Sequence, residues 1–303
     1  MELTPGKVAV VTGAGSGIGF ALAERFARSG LDIVLADVEP AALDAAEEKI
    51  AAHGVRTLAV VTDVSDEASV QALASTALRR FGAVHLVCNN AGVESGADAW
   101  FGPISAWKWV LGVNLWGVIH GIRAFLPGLI GQGGGHIVNT ASIAGLYPGF
   151  APSYDAAKHA VVAISEGLYR SMKLAGLPIG VSVLCPGWVS TNILDAARNW
   201  PAGLGEPPPP GLASEVAAVH VRRAIDEGVR PAEVADFVAD AVVAEKFWVF
   251  TGQEWIDLVV QRWQGIAEGS DPQLGVQVPG LPPVAELAEE IRQVLAQWLG
   301  GGQ

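Results

Sequence analysis

Tyr154 and Lys158 stand four positions apart at the start of a helical pattern that runs through Ala163. Residues four apart share one face of a helix, so the Lys158 ammonium can lie close to the Tyr154 phenol. A phenol has a reference pKa of about 10, which is too high for a base at neutral pH. A neighbouring cation lowers that pKa because it stabilises the phenolate. The pair therefore indicates proton transfer by Tyr154, although the spacing alone is common.

Ser142 adds a position for a substrate oxygen. It follows a predicted strand at residues 136–140, and ligands of open parallel sheets bind beyond the carboxyl ends of the strands. Tyr154 comes twelve residues later, which leaves enough chain for a loop that returns over the same crevice. We expect the Ser142 hydroxyl to hold the substrate oxygen while Tyr154 exchanges its proton.

A glycine-rich turn at residues 12–19 indicates a nucleotide site. It follows the first predicted strand and precedes a helical pattern. Glycines let the backbone turn tightly and approach a pyrophosphate, which the free N–H groups at a helix start then bind. The glycine spacing differs from the commoner G-x-G-x-x-G fingerprint. The nucleotide site is therefore inferred from the position of the turn between the first strand and the first helix. The residues expected to contact the cofactor here are Gly13, Ser16, Gly17, Ile18 and Gly19.

Asp37 ends the second predicted strand and indicates which dinucleotide binds. A carboxylate at this point accepts hydrogen bonds from the ribose hydroxyls and repels a 2′-phosphate. The next three residues of the sequence include no Lys or Arg. NAD is therefore favoured over NADP, with a loop cap as the alternative role of Asp37. Asp63 and Val64, after the third predicted strand, are expected at the adenine edge.

The elements that must position these residues alternate along the chain. Several short β-branched runs are apolar at consecutive positions, which is typical of strands buried on both faces. Alternating strands and helices predict an α/β fold with a doubly wound parallel sheet of seven strands. The predicted strands are residues 7–11, 33–36, 57–62, 85–88, 136–140, 180–184 and 247–251. Helices are predicted at 41–52 and 67–80, the second with Ser65 and Asp66 as caps.

Two segments interrupt the alternation. Residues 192–230 form an insertion with four consecutive prolines, expected to act as a substrate lid on a catalytic domain of residues 1–252. Residues 253–303 form a C-terminal helical extension with an apolar stripe, which favours packing on its own domain or on a sister subunit. The stripe is Val284, Leu287, Ile291, Val294 and Trp298.

Composition excludes several classes of partner. The 303 residues carry a net charge of -12 and no run of Lys or Arg, so nucleic acid and anionic membranes are poor partners. No apolar stretch reaches the ~20 residues that a membrane helix needs.

Cys88 and Cys185 lie in apolar runs and are expected to be reduced core residues. The sequence favours a cytoplasmic protein without a metal site.

Together these motifs resemble the compact branch of the short-chain dehydrogenase/reductases over roughly residues 5–252. The resemblance implies a single Rossmann-like domain, hydride transfer to or from NAD, and a homodimer or homotetramer. It implies that the subunits meet through the helices carrying Asn114 and Tyr154. The resemblance is carried by residues 12–19, Asp63, Asn89, Asn90, Ala91, Gly92, Asn114, Ser142, Tyr154, Lys158, Pro186 and Gly187.

The resemblance also implies roles for individual residues. Tyr154 would be the general acid/base, Lys158 would lower its pKa and bind the nicotinamide ribose, and Ser142 would orient the substrate. Asn114 would hold a water that links Lys158 to solvent, and Asn89 would stabilise the sheet. The segments expected to line the cofactor are Asn90, Ala91 and Gly92, and, around the carboxamide, Pro186, Gly187, Val189 and Thr191.

Apolar and aromatic residues near this site favour a hydrophobic secondary alcohol or its ketone over a sugar. Trp188, Tyr147 and Ile193 are expected to contact it, together with Phe150 in the loop after Ser142. Alternatively, these side chains pack their loops against the domain. Residues 192–251 also resemble bacterial NAD-dependent Cα-dehydrogenases of aryl ethers, which implies a benzylic alcohol.

Three alternatives remain at this point. Asp37 disfavours an NADP-dependent ketoacyl or steroid-type reductase. The negative net charge also disfavours the docking of an acidic carrier protein. An epimerase or dehydratase of the extended branch would have glycine where Ser16 stands. A nucleotide-binding regulator without turnover would not need Asn114, Ser142, Tyr154 and Lys158 together.

Overall fold

Seven parallel strands form one sheet in the order β3-β2-β1-β4-β5-β6-β7. This confirms the predicted sheet, and each predicted strand lies within two residues of an observed one. The central strands are buried along their length, as their unbroken apolar runs predicted. The strands are β1 (Val8–Thr12), β2 (Asp32–Asp37), β3 (Thr57–Val61), β4 (Leu86–Asn89), β5 (Gly135–Thr140), β6 (Ile179–Cys185) and β7 (Trp248–Phe250).

The computed structural model describes residues 1–149, 151–272 and 277–300, without the side chains of 212–214, 295 and 297–300. Phe150 and the side chain of Trp298, both singled out from the sequence, lie outside the described residues. Helices cover both faces of the sheet, as expected for a doubly wound fold. They are α1 (Gly17–Arg28), α2 (Pro40–Ala51), α3 (Glu67–Phe81), α4 (Ile104–Leu111), α5 (Gly117–Gly131), α6 (Pro152–Leu174), α7 (Leu212–Asp226), α8 (Pro231–Val243), α9 (Gln253–Ala267) and α10 (Val284–Gly300).

One of the two predicted caps of α3 is confirmed and the other is wrong. The Asp66 side chain accepts a hydrogen bond from the N–H of Ala68 and so caps the helix. The Ser65 hydroxyl instead donates to the Asp63 carboxylate at 2.7 Å. Ser65 therefore shapes the loop after β3 rather than the helix start.

A buried chain of hydrogen bonds ties α6 to the middle of the sheet. The Asn89 amide donates to Asn139 Oδ1, and the Asn139 amide donates to the Ser165 hydroxyl. Ser165 in turn donates to the carbonyl of Val161 within α6. Buried polar networks of this kind fix the relative positions of the elements that they join. The helix that carries Tyr154 and Lys158 is thereby held in register with β4 and β5.

The helical span Ile104–Gly131 is long and apolar enough to cross a membrane by length and composition, which the sequence did not lead us to expect. In the fold it is a core helix, because Val118, Phe125 and Leu129 are buried in the cluster under the sheet. A π-helical segment, Gly112–Trp116, interrupts the span and contains the buried Asn114. Such segments often occur at functional sites.

The C-terminal extension packs on the insertion of its own chain. Leu287 of α10 and Leu281 just before it are buried in one cluster with Ala224 of α7. The apolar stripe of α10 was expected to pack on its own domain or on a sister subunit. Leu287, one residue of that stripe, packs on its own domain. Cys88 and Cys185 are buried and unpaired, as expected for reduced core residues.

Candidate active site

A single cleft of about 450 Å³ at the carboxyl ends of the strands collects the residues singled out from the sequence. The described cofactor and substrate candidates line it, together with Tyr154 and Lys158, which is the arrangement expected of an open α/β sheet. Asn89 and Asn114 do not line it. The candidates lining the cleft are Gly13, Ser16, Gly17, Ile18, Gly19, Asp37, Asp63, Val64, Asn90, Ala91, Gly92, Ser142, Tyr147, Tyr154, Lys158, Pro186, Gly187, Trp188, Val189, Thr191 and Ile193.

The glycine turn is packed so closely that side chains would not fit. A Cβ on Gly19 would lie 2.0 Å from the carbonyl oxygen of Gly13, and one on Gly13 would lie 2.9 Å from Ala91 Cα. Gly13 also has a φ of 67°, which favours glycine. Within the described chain the Ser16 side chain makes no capping bond to α1. The first N–H groups of α1 therefore suit an anionic ligand such as a pyrophosphate.

Asp37 contacts the turn as well as the cleft. One carboxylate oxygen accepts a hydrogen bond from the N–H of Gly15 at 2.8 Å, and the other accepts from Glu39 at 3.1 Å. The carboxylate therefore shapes the loop in addition to lining the nucleotide cleft. The loop role and the ribose role, which the sequence offered as alternatives, are compatible in this geometry.

The insertion reaches the same end of the cleft through Arg198 and Asn199. Both side chains bind Glu39 Oε1, at 2.9 Å and 2.7 Å, from about 160 positions further along the chain. Arg198 also donates to the carbonyl of Asp195, so its charge is engaged within the protein. Sequence reasoning missed this pair because nothing in local spacing links residues so far apart.

Lys158 is buried and contacts both the end of β5 and the Tyr154 ring. Its ammonium donates to the carbonyl oxygen of Thr140 at 2.8 Å and lies 5.4 Å from the centre of the Tyr154 ring. Burial lowers the pKa of Lys158 to about 8. The lysine therefore remains mostly charged at neutral pH.

The pKa of Tyr154 is raised in this structure, whereas the Lys158 spacing predicted a lowered value. Burial of the phenol is the largest cause, and the negative charges of Glu94 and Asp155 add to it. The Ser142 hydroxyl acts in the opposite direction. The sequence-based expectation missed the desolvation of the phenol and the Glu94 carboxylate, since both depend on the folded surroundings.

Asn114 bonds to the loop that follows β4. Its Oδ1 accepts from the N–H of Val93 at 2.8 Å, and its amide donates to the Val93 carbonyl at 2.9 Å. A Cβ on Gly92 would lie 3.4 Å from Asn114 Oδ1 and 3.6 Å from Lys158 Nζ. Asn114 therefore fixes the backbone that passes beside the Lys158 ammonium.

The tail supplies a wall of the cleft that the sequence did not reveal. The indole N–H of Trp188 donates to the carbonyl of Pro279 at 2.7 Å, and Trp255 lies edge-on to Trp188. A Cβ on Gly187 would collide with the Trp255 ring at 1.9 Å. The tail residues that line the cleft are Trp255, Leu258, Val278 and Leu281. Only the apolar tail stripe hinted at such packing.

A family model described as short chain dehydrogenase matches residues 7–202. The chain belongs to the short-chain dehydrogenase family. It is therefore an oxidoreductase of a family that uses a nicotinamide cofactor, which confirms the expected family.

Among the described residues, no group of His, Cys, Asp or Glu side chains is placed to hold a metal ion.

Similar proteins extend the likeness to most of the chain. The 1-deoxy-11-beta-hydroxypentalenate dehydrogenase of Streptomyces avermitilis is 40% identical, over 84% of this chain and 87% of its own length. A short chain dehydrogenase/reductase from Burkholderia phymatum, solved in complex with NAD, is 42% identical with a TM-score of 0.88. That comparison covers 92% of this chain and 100% of the other.

Two solved structures from Sphingobium sp. strain SYK-6, LigO and LigD, are also similar to this chain. LigO is 31% identical with a TM-score of 0.74, covering 89% of this chain and 90% of its own. LigD is 27% identical with a TM-score of 0.72, covering 89% of this chain and 99% of its own.

Replacing Trp188 by Phe is expected to loosen the tail while keeping the aromatic packing. The variant loses the indole N–H donor to Pro279, a bond worth about 1 kcal/mol, so opening of the tail should rise about fivefold. Limited proteolysis between α9 and α10 measures this. Trp263→Phe is the control, because Trp263 is half exposed on α9. Equal cleavage rates in both variants would show that the bond does not hold the tail.

Proposed function

We propose that the protein interconverts a hydrophobic secondary alcohol and its ketone with NAD as cofactor and Tyr154 as general acid/base. The observation that carries the proposal is the convergence of Ser142, Tyr154 and Lys158 on the cleft that the glycine turn and Asp37 also line. A proton-transfer pair beside a nucleotide site is what such an oxidation needs. The NAD complex of the Burkholderia phymatum relative supports the choice of cofactor.

The residues at the reacting end have distinct tasks. NAD, when bound, supplies the hydride acceptor for oxidation and the reduced form supplies the donor for reduction. Ser142 holds the substrate oxygen, and Tyr154 takes the hydroxyl proton during oxidation or returns it during reduction. Because burial raises the pKa of Tyr154, the phenolate needs nearby positive charge, which Lys158 and the oxidised nicotinamide ring provide.

The substrate is a hydrophobic alcohol with an aromatic or cyclic skeleton. Trp188, Tyr147 and Ile193 line the cleft beside Trp255. Such walls favour apolar ligands, and the resemblance of residues 192–251 to Cα-dehydrogenases of aryl ethers favours a benzylic carbinol. The name of the Streptomyces avermitilis relative, a hydroxypentalenate dehydrogenase, supports the oxidation of a hydroxyl group on the substrate.

The insertion of residues 192–230 acts as a lid that the tail holds over this substrate. Its residues Arg198 and Asn199 bind Glu39 at one end, and α10 packs on α7 at the other. A lid excludes water and aligns the reacting groups. If the role is correct, deletion of Pro207–Pro210 in the insertion raises the KM for a bulky alcohol and leaves the KM for NAD unchanged. An unchanged alcohol KM would contradict the lid.

Turnover tests the proposal directly. We expect absorbance at 340 nm to rise when the protein, NAD and a benzylic or other bulky secondary alcohol are mixed. Tyr154→Phe should lower kcat about 100- to 10,000-fold while NADH binding, followed by fluorescence, persists. Tyr169→Phe is the matched control, since it makes the same change on the same helix outside the cleft. A protein that binds NADH but oxidises none of the alcohols would be a nucleotide-binding regulator instead.

Cofactor choice is expected to depend on the charge of Asp37. The wild-type kcat/KM should be about 100-fold higher with NAD than with NADP, because the carboxylate binds ribose hydroxyls and repels a 2′-phosphate. Asp37→Asn keeps an acceptor for the Gly15 N–H, loses the one for the Glu39 N–H, and should reduce this ratio about tenfold. Asp44→Asn removes a charge from the exposed face of α2 and should change nothing. Equal or better use of NADP by the wild type would overturn the assignment.

A further inference from the structure

Glu94 is a carboxyl group of the cleft to which the proposed chemistry gives no role. It lies one residue beyond Val93, whose backbone is held on both sides by Asn114. Its Oε1 accepts hydrogen bonds from the N–H groups of Ser95 and Gly96, at 2.9 Å and 3.1 Å. The bonds of Val93 before it and of Ser95 and Gly96 after it therefore fix the position and orientation of the Glu94 carboxyl.

The second oxygen of this carboxyl has no such partner. Glu94 Oε2 is buried and makes no hydrogen bond to any described residue. A buried polar atom without a partner costs free energy, so it needs a functional or structural reason. Burial raises the pKa of Glu94 to about 7, the N–H donors of Gly96 and Ser95 oppose this, and Asp155 adds to it. A donor that reached Oε2 would favour the charged carboxylate.

Glu94 lies on the Tyr154 side of the cleft. Glu94 and Tyr154 line the same cleft, and the negative charge of Glu94 acts on the phenol. One wall beside Tyr154 is apolar, with Trp109 and Ala196 buried in one cluster against which Val113 packs, while Ser142, Asp155 and Lys158 also line the cleft. A substrate hydroxyl can donate to Glu94 without adding a further buried charge.

We infer that Glu94 accepts a hydrogen bond from a second hydroxyl group of the substrate, close to the carbinol that is oxidised. The natural substrate class is then a hydrophobic secondary alcohol with an additional hydroxyl, or the matching hydroxyketone. This inference rests on the proposed function. It adds one polar contact to a cleft whose other walls select apolar skeletons, which is how small-molecule sites fix orientation.

Glu94→Gln separates recognition from loop shaping. The amide keeps an oxygen that accepts from Ser95 and Gly96, so the loop is retained. At the other position an N–H donor replaces the acceptor. A hydroxyl and an ether oxygen can both accept from it, so the preference for the hydroxyl is lost. A purely structural Glu94 would not alter the preference between these two groups.

The experiment compares benzylic alcohols that carry hydroxyl, methoxyl or hydrogen at one, two or three carbons from the carbinol. With NAD, wild-type kcat/KM should be at least about tenfold higher for one hydroxyl compound than for its methoxyl partner. Glu94→Gln should bring this ratio close to one. The ratio is the readout, because loss of the Glu94 charge also lowers the pKa of Tyr154 and so changes the turnover of all three compounds together. Glu48→Gln, the same change on the exposed face of α2, should behave as wild type.

The outcomes distinguish the two claims. Wild-type turnover with equal kcat/KM for all three groups, or a Glu94→Gln variant with an unchanged hydroxyl preference, overturns the role of Glu94 and leaves the proposed function intact. The absence of turnover for every alcohol with either NAD or NADP overturns the proposed function and the inference with it.

Discussion

The Lys158 ammonium lies where water hardly reaches it, 2.8 Å from the carbonyl oxygen of Thr140 at the end of β5. A buried cation costs several kcal/mol unless its surroundings compensate, so the groups around it must be held accurately. The Thr140 hydroxyl donates to Asn90 Oδ1, and the Asn90 amide donates to the carbonyl of Thr12. One chain of hydrogen bonds thus runs from the cation of the reacting end to the start of the glycine turn.

This chain explains why the sheet and α6 are built as they are. Thr12, Asn90 and Thr140 stand at the carboxyl ends of three adjacent strands, so the sheet itself sets their spacing. The buried bonds from Asn89 through Asn139 to Ser165 fix α6 on the same strands. The distance between the nucleotide turn and the proton-transfer pair is consequently a property of the core, while the insertion and the tail form the remaining walls.

Much of this could be predicted from the sequence because the signals are local. Buried parallel strands show as unbroken apolar runs, and turns such as residues 12–19 need glycine at defined positions. The rest depends on contacts between distant parts of the chain. The Arg198–Glu39 pair and the docking of α10 on α7 follow no spacing rule. The raised pKa of Tyr154 comes from burial, which a pattern of residue types does not report.

The measurement that tests the account most directly follows the hydrogen that leaves the substrate. A turned-over secondary alcohol is prepared with deuterium on its carbinol carbon and incubated with the protein and NAD in ordinary water. The account predicts that the NADH formed carries one deuterium at C4 of the nicotinamide ring, seen by mass spectrometry and NMR. NADH without deuterium, or exchange of the carbinol deuterium for solvent hydrogen, would contradict direct transfer in the cleft.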